Sequence, residues 1–117
     1  MAKVFHVLTP QEKQKNVSKD IYHPVSLDTD GFIHFSKADQ IESVINNFYS
    51  ACPELILWRV PENKLEDKLK YEPPLEAPNS GILFPHYYGE LDISFIEKTF
   101  ILKQANGKIS LPHDLLE

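Results

Sequence analysis

The feature that most constrains this fold is a nearly continuous apolar run, LILWRV at residues 55–60. The run has the length of a strand and lacks the alternation of apolar and polar residues that marks a strand with one solvated face. Such a segment is typical of a strand that is buried on both faces. We therefore expect residues 55–60 to form a central strand of a sheet.

A second strand and a helix are predicted at the beginning of the chain. Residues 3–8 (KVFHVL) are β-branched and aromatic, and their alternation places Val4, His6 and Leu8 on one face. Thr9 is followed by proline and, three residues on, by Glu12, which is a capping-box pattern. A short helix should therefore begin after Thr9.

The clearest helix is expected after Ser36, which resembles an N-cap residue. It should end before Pro53, because the residue before a proline avoids the helical conformation. The composition of residues 21–30 favours an ordered loop, and residues 31–36 (GFIHFS) favour a strand. The helix is indicated by apolar residues at spacings of three and four: Ala38, Ile41, Val44, Ile45 and Phe48.

The sequence of the second half of the chain predicts loops and further strands. Residues 61–81 are polar and rich in proline, with one short extended piece at 69–72. Residues 82–89 begin as a strand, but Pro85 lacks an N–H donor, so His86 should lie at a strand end or in a loop. Residues 94–103 are expected to form a strand, and the Asn-Gly pair at 106–107 predicts a hairpin to a return strand at 108–111.

These elements predict one α+β domain over residues 1–117, with a mostly antiparallel, curved or split sheet and two helices in its N-terminal half. The net charge is −5 without a long basic run, which disfavours general nucleic-acid binding. No apolar run approaches the roughly 20 residues that span a membrane. The one cysteine, Cys52, has no intrachain disulfide partner, and we expect a cytoplasmic protein. The oligomeric state stays open.

Three of the five histidines lie in or beside predicted strands: His6, His34 and His86. An imidazole titrates near neutral pH, so two such groups facing one pocket suit acid–base chemistry or the binding of a polar ligand. Any one of them alone could equally be a hydrogen-bonded histidine with no chemical role. Ser36 shares a face with His34, and its hydroxyl either caps the following helix or binds a ligand together with His34.

Other types of site have weaker sequence support. Glu72 is the candidate carboxylate, with a solvated surface residue as the plain alternative. The chain has no HExxH, paired CxxC or HxH motif, so a metal site would require long-range convergence of the three histidines with Glu72. A serine nucleophile is unsupported because GxSxG is absent. Cys52 next to Pro53 indicates a buried, inert thiol.

Three successive motifs resemble one family. They are DGFIHFS at residues 30–36, KYE at 70–72 and FPHYYGEL at 84–91. In this order they resemble the bacterial domain of unknown function 952 family over nearly the whole chain. The resemblance implies the fold of the ADP-ribosyltransferase-like superfamily, whose members bind NAD in a cleft between two small split sheets. The order of the elements is similar to that of the RNA 2′-phosphotransferase branch.

The same resemblance implies roles for two positions. His6 and the His34-Phe35-Ser36 segment fall where that branch contacts the nicotinamide ribose and phosphates. Val7 stands where the branch commonly has a glycine, and the chain has no evident ExE loop.

The leading hypothesis is a small enzyme-like domain that binds NAD or another nucleotide or phosphate ligand in one polar cleft. The catalytic candidates are His34, Glu72 and His86, and the ligand-binding candidates are His6, Tyr22, Ser36 and Tyr88. One alternative is a metal-assisted hydrolase or isomerase that uses the same histidines. Another is a non-catalytic binding module whose aromatic segment 84–88 contacts a partner.

Overall fold

The computed structural model describes residues 2–105 and 108–117. The described residues form an α+β domain of short elements in the following order. The strands are β1 (Lys3–Leu8), β2 (Val17–Ser18), β3 (Ile21–Tyr22), β4 (Ile33–His34), β5 (Glu54–Pro61), β6 (Leu69–Glu72), β7 (Phe84–Tyr87), β8 (Leu91–Asp92), β9 (Lys98–Ala105) and β10 (Lys108–Ile109). The helices are α1 (Pro10–Asn16), α2 (Val25–Thr29) and α3 (Ile41–Phe48), with 3-10 turns at Ala38–Gln40, Glu62–Lys64 and Ile93–Phe95.

The predicted central strand is confirmed as β5. It lies between β1 and β9 in a four-stranded antiparallel sheet with the order β1-β5-β9-β10. Residues 55–60 are all buried, as the absence of a polar face predicted. Strand β5 therefore pairs with a strand on each side and packs against a hydrophobic cluster on each face.

The two faces of β1 pack into two separate apolar clusters, in agreement with the predicted alternation. Val4 and Leu8 face a cluster that also contains Trp58. Phe5 and Val7 face the cluster built on α3. Helix α3 therefore covers one face of the large sheet, and the smaller sheets cover the other face.

Two three-stranded antiparallel sheets have the orders β2-β3-β8 and β4-β7-β6. The second is joined to the large sheet through an antiparallel bridge between Phe5 and Ser36, whose backbone groups exchange hydrogen bonds of 2.8 and 2.7 Å. The result is a curled antiparallel sheet, which confirms the predicted split or curved arrangement. This bridge brings β1 next to β4.

Pro85 corrects one prediction, because it lies inside β7, the middle strand of its sheet. Its carbonyl accepts a hydrogen bond from the Phe35 N–H at 3.0 Å, just beyond the end of β4. In an antiparallel strand the N–H and C=O of one residue point to the same side. The missing donor of Pro85 therefore faces Phe35, where the pairing with β4 stops, and His86 lies within the strand rather than after it.

The first helix confirms its capping box. The Thr9 hydroxyl accepts from the Glu12 N–H at 3.0 Å, and Glu12 Oε1 accepts from the Thr9 N–H at 2.8 Å. Residues 21–30 differ from the predicted loop because they contain β3 and α2. Helix α2 ends at Thr29, and Gly31, two residues further on, has a φ of +88° that suits a residue without a side chain.

Ser36 does not cap the second predicted helix. Its backbone is used by the bridge to Phe5, and the 3-10 turn begins after Lys37, whose N–H donates to Gln40 Oε1 at 2.9 Å. The stripe of the helix is confirmed at Ile41 and Ile45, which are fully buried. Phe48 is 62% exposed and so lies outside the core.

Near the C-terminus, β9 begins at Lys98 rather than at residue 94, because residues 93–95 form a 3-10 turn. Strand β10 pairs with β9 in the predicted return direction. The Asn-Gly turn at 106–107 lies outside the described residues. Among the helices that the structure describes, none is long and apolar enough to cross a membrane.

Candidate functional site

A cavity of about 590 Å³ opens beside the curled sheet, and each of the three helices contributes to its lining. Five of the seven candidate site residues line it: His6, Tyr22, His34, Ser36 and His86. Glu72 and Tyr88 do not line the cavity. Glu72 is connected to the cavity by its hydrogen bond with His86, and the Tyr88 hydroxyl donates to Glu72.

Strand register brings the two central histidines together. His34 in β4 is the direct cross-strand partner of His86 in β7, so both side chains lie on the same face. Their ring centroids are 5.5 Å apart, with one ring edge directed at the other. Two histidines separated by more than fifty residues thus face one cavity.

His86 is held by a carboxylate behind it. Its Nδ1–H donates to Glu72 Oε1 at 2.9 Å, and the Tyr88 hydroxyl donates to the same oxygen at 2.5 Å. The bond from Tyr88 lowers the pKa of Glu72, with a further contribution from His86, so this carboxyl group is ionised at neutral pH. Glu72 raises the pKa of the Tyr88 hydroxyl to about 12, so that hydroxyl keeps its proton.

Burial governs the ionisation of His86 itself. Its ring stacks on Phe32 at 3.9 Å between centroids with an angle of 18°. Desolvation lowers the pKa of His86, although the bond to Glu72 opposes that shift. With the proton fixed on Nδ1, Nε2 is the basic atom, and it has no hydrogen-bond partner among the residues described. His86 can therefore accept a proton at Nε2.

His34 belongs to a second carboxylate–histidine pair. Its Nε2 and Asp30 Oδ2 are 2.8 Å apart, and its side chain is 46% exposed. Asp30 follows α2 directly, so the end of this helix positions the carboxylate. This arrangement places the ring proton on Nε2 and leaves Nδ1 as an acceptor in the neutral form.

His6 and Tyr22 form a third, buried pair. The Nδ1–H of His6 donates to the His34 carbonyl at 2.7 Å, which requires Nε2 to be the acceptor of the Tyr22 hydroxyl proton, also at 2.7 Å. Burial lowers the pKa of His6 to about 4 and raises that of Tyr22. Both groups are therefore neutral at pH 7, and they fix the backbone of β4 beside the cavity.

Ser36 offers a free hydroxyl to the same space. Within the described chain no hydrogen bond uses its Oγ, since the contacts to Phe5 are made by the backbone. Its predicted capping role is wrong, and its predicted position beside His34 agrees with the structure.

Sequence reasoning missed several cavity residues. Asp30 begins the DGFIHFS motif at residues 30–36. Its position four residues before His34 was the sequence signal that could have indicated a carboxylate–histidine pair. Six other cavity residues carried no such signal, because only the tertiary fold brings them to the cavity. They are the charged residues Glu12, Lys15 and Glu76 and the apolar residues Val25, Phe48 and Leu75.

The structure gives no support to the alternative hypothesis of a metal-assisted hydrolase or isomerase in the part of the chain that it describes. Across residues 2–105 and 108–117, no group of three or more His, Cys, Asp or Glu side chains is arranged to hold a metal ion. The ring nitrogens of His6 and one nitrogen each of His34 and His86 are used by the contacts described above.

Comparison with known proteins gives a family and a fold. The sequence model of the family described as Protein of unknown function (DUF952) matches residues 7–99. The crystal structure of protein CC0527 from Caulobacter crescentus is similar, with 27% identity, a TM-score of 0.79 and 97% coverage of each chain. The solution NMR structure of CC0527 is 24% identical, with a TM-score of 0.74, over 93% of this chain and 91% of that one. No curated protein matches the chain.

Proposed function

This chain belongs to the family described as Protein of unknown function (DUF952), in agreement with the resemblance of its motifs, and we propose that it is a small-molecule enzyme that transfers protons through His86. The observation that carries the proposal is the Glu72–His86 pair at 2.9 Å, with Nε2 of a cavity-lining histidine left basic. A carboxylate on Nδ1 fixes the tautomer and stabilises the imidazolium that forms when Nε2 accepts a proton.

Each of the other candidates has a distinct role in this proposal. His34, held by Asp30, is the second group that exchanges a proton or binds a polar atom of the substrate. The free Ser36 hydroxyl binds the ligand. Glu72 and Tyr88 are positioning residues because they act through His86 rather than on the ligand.

The arrangement favours an enzyme over a binding module. The module hypothesis requires the aromatic segment 84–88 to be an exposed patch. Tyr87 is buried and packs on Phe35, with ring centroids 6.4 Å apart. The histidines converge on a cavity of a size typical of small-molecule sites.

The resemblance to ADP-ribosyltransferase-like proteins makes NAD and ADP-ribose the first ligands to test. The cavity beside a curled, split sheet supports this choice. The charges around it oppose it, because Lys15 is the one lysine or arginine among the described lining residues, against Glu12, Asp30 and Glu76. We further propose a cytoplasmic location, based on the single cysteine.

The test is a turnover assay in D₂O with a defined pool of metabolites that includes NAD and ADP-ribose. Mass spectrometry follows the loss of each compound and any gain of deuterium, which reports proton transfer even without net conversion. We expect at least one compound to change with the wild-type protein, and His86→Gln to lower the rate by about 10²–10⁴-fold, the usual contribution of a general base.

Two variants provide the controls. Glu72→Gln keeps the ring contact but removes the charge, so it should shift the pH profile of the rate as well as reduce it. His113→Gln changes an exposed histidine away from the cavity and should have no effect. Equal turnover by His86→Gln and His113→Gln, or no turnover of any compound, would contradict the proposal.

A further inference from the structure

Three hydrogen-bonding groups of the cavity are left as acceptors, beside a Ser36 hydroxyl that can donate or accept. The Tyr22 hydroxyl proton is directed at His6, the His86 Nδ1–H at Glu72, and the His34 Nε2–H at Asp30. What each of these groups keeps for a ligand is therefore a lone pair, on Tyr22 Oη, His86 Nε2 and His34 Nδ1. A ligand that pairs with these three groups must donate hydrogen bonds to them.

The charge of the lining points in the same direction. Three carboxylates line the cavity, from Glu12, Asp30 and Glu76, against the single Lys15 ammonium. A ligand with several phosphates would meet these acceptors and an excess of negative charge, which leaves most of its oxygens without donors and costs free energy. A positively charged ligand meets neither problem.

Part of the cavity's mouth is apolar, beside exposed charged residues such as Glu76. Val25 at the start of α2, Phe48 at the end of α3 and Leu75 in the loop after β6 are 63%, 62% and 58% exposed, and all three line the cavity. These side chains come from three separate segments, so their exposure is not that of one frayed element. Covering this apolar rim requires an apolar portion of the ligand.

We infer that the ligand is an organic cation with an apolar part, that is, an alkyl or aryl amine. Its ammonium group donates to the acceptors and faces the carboxylates, and its apolar part packs between Val25, Phe48 and Leu75. This inference rests on the proposed function, because it assigns the substrate class of the same site.

The test compares three probes that share one ring and differ in the head group: benzylamine, benzyl alcohol and benzoate. NMR of the isotope-labelled full chain at neutral pH follows the rings of His34 and His86 and the methyl groups of Val25. We expect benzylamine to shift these signals saturably, benzyl alcohol to bind more weakly, and benzoate and inorganic phosphate to leave them unchanged.

Matched variants test the ammonium group and the apolar part of the ligand separately. Glu76→Gln should weaken benzylamine binding by about twofold to fivefold, the range for a partly exposed charge pair, whereas Glu66→Gln, an exposed glutamate outside the lining, should not. Phe48→Ala should weaken binding by about threefold or more through lost apolar contact. Ile101→Ala, which truncates an exposed side chain on β9, should have no effect.

Several outcomes would overturn the amine assignment. These are binding of benzoate or phosphate at least as tight as that of benzylamine, no binding of benzylamine, or equal effects of Glu76→Gln and Glu66→Gln. An anion bound at His34 and His86 would contradict the amine and leave proton transfer by His86 intact. Turnover that ignores His86→Gln would contradict the proposed function even when benzylamine binds.

Discussion

The buried His6 predicts a specific loss of stability in acid. Its pKa is about 4 in the folded protein, lowered mainly by burial from an ordinary 6.5. A histidine with a depressed pKa stabilises the fold fully above the pKa of the unfolded chain, and that contribution is lost as the pH falls toward the folded value. The gap corresponds to about 3 kcal/mol, of which about 2 kcal/mol is lost between pH 7 and about pH 5.

The measurement is urea unfolding of the wild type and of His6→Gln between about pH 4 and pH 8. Glutamine retains an amide donor for the His34 carbonyl and an acceptor for the Tyr22 hydroxyl, and it has no proton to gain. Carboxyl groups with lowered pKa values, such as Glu72 and Glu97, lose their contributions in both proteins. The difference between the two curves therefore isolates His6.

We expect the wild type to lose about 2 kcal/mol more than His6→Gln between pH 7 and about pH 5. Parallel curves would refute the reasoning, as would a wild type that loses less. NMR of the His6 ring nitrogens provides a readout that does not depend on how well the variant folds. It should show a proton on Nδ1 and no titration above about pH 5, given the lowered pKa.

Three further substitutions test the packing and the buried polar contacts by urea unfolding. Tyr22→Phe leaves the buried Nε2 of His6 without its donor and should cost about 1–3 kcal/mol. Leu57→Ala opens a cavity at a fully buried position of β5 and should cost about 2–5 kcal/mol, with exposed Ile101→Ala near zero. Arg59→Met removes one of the two cationic partners of Glu97, which keeps Lys3 at 2.7 Å, and should cost about 1–3 kcal/mol. Hydrogen exchange in residues 111–117 should become faster, because Arg59 also donates to the Leu115 carbonyl.

The parts of the fold that the sequence predicted are those with a local physical cause. Residues 55–60 have no polar face, so they could only be buried on both sides. The Thr9–Glu12 capping box depends on two residues three positions apart, and it starts α1 as predicted. Such signals require no knowledge of the rest of the chain.

The errors come from tertiary context. Pro85 is unfavourable in a central strand by local rules, but its carbonyl still accepts from the Phe35 N–H, and its missing donor faces this first residue beyond β4. Ser36 has the composition of an N-cap, but the bridge to Phe5 uses its backbone first. In both cases a neighbouring strand, distant in sequence, decided the outcome.

The candidate site shows the same division. The placement of the histidines in or beside strands made a shared cavity possible, and the structure puts His34 and His86 in direct register. The role of Glu72 behind His86, rather than in the cavity, depends on how β6 pairs with β7, which no local pattern encodes. The apolar rim is likewise assembled from segments that have no common sequence signal.

The least predictable property is the direction of each proton. Histidine and tyrosine can both donate and accept, so their presence in a motif leaves the character of a pocket undetermined. Here the His34 carbonyl fixes the tautomer of His6, and the tautomer of His6 in turn fixes the direction of the Tyr22 hydroxyl. Glu72 and Asp30 impose the same outcome on the other two histidines. The three acceptors of the cavity thus result from the hydrogen-bond partners of its lining residues, and one of these partners, Glu72, lies outside the lining. The chemistry of the ligand could therefore be inferred only after those partners were placed.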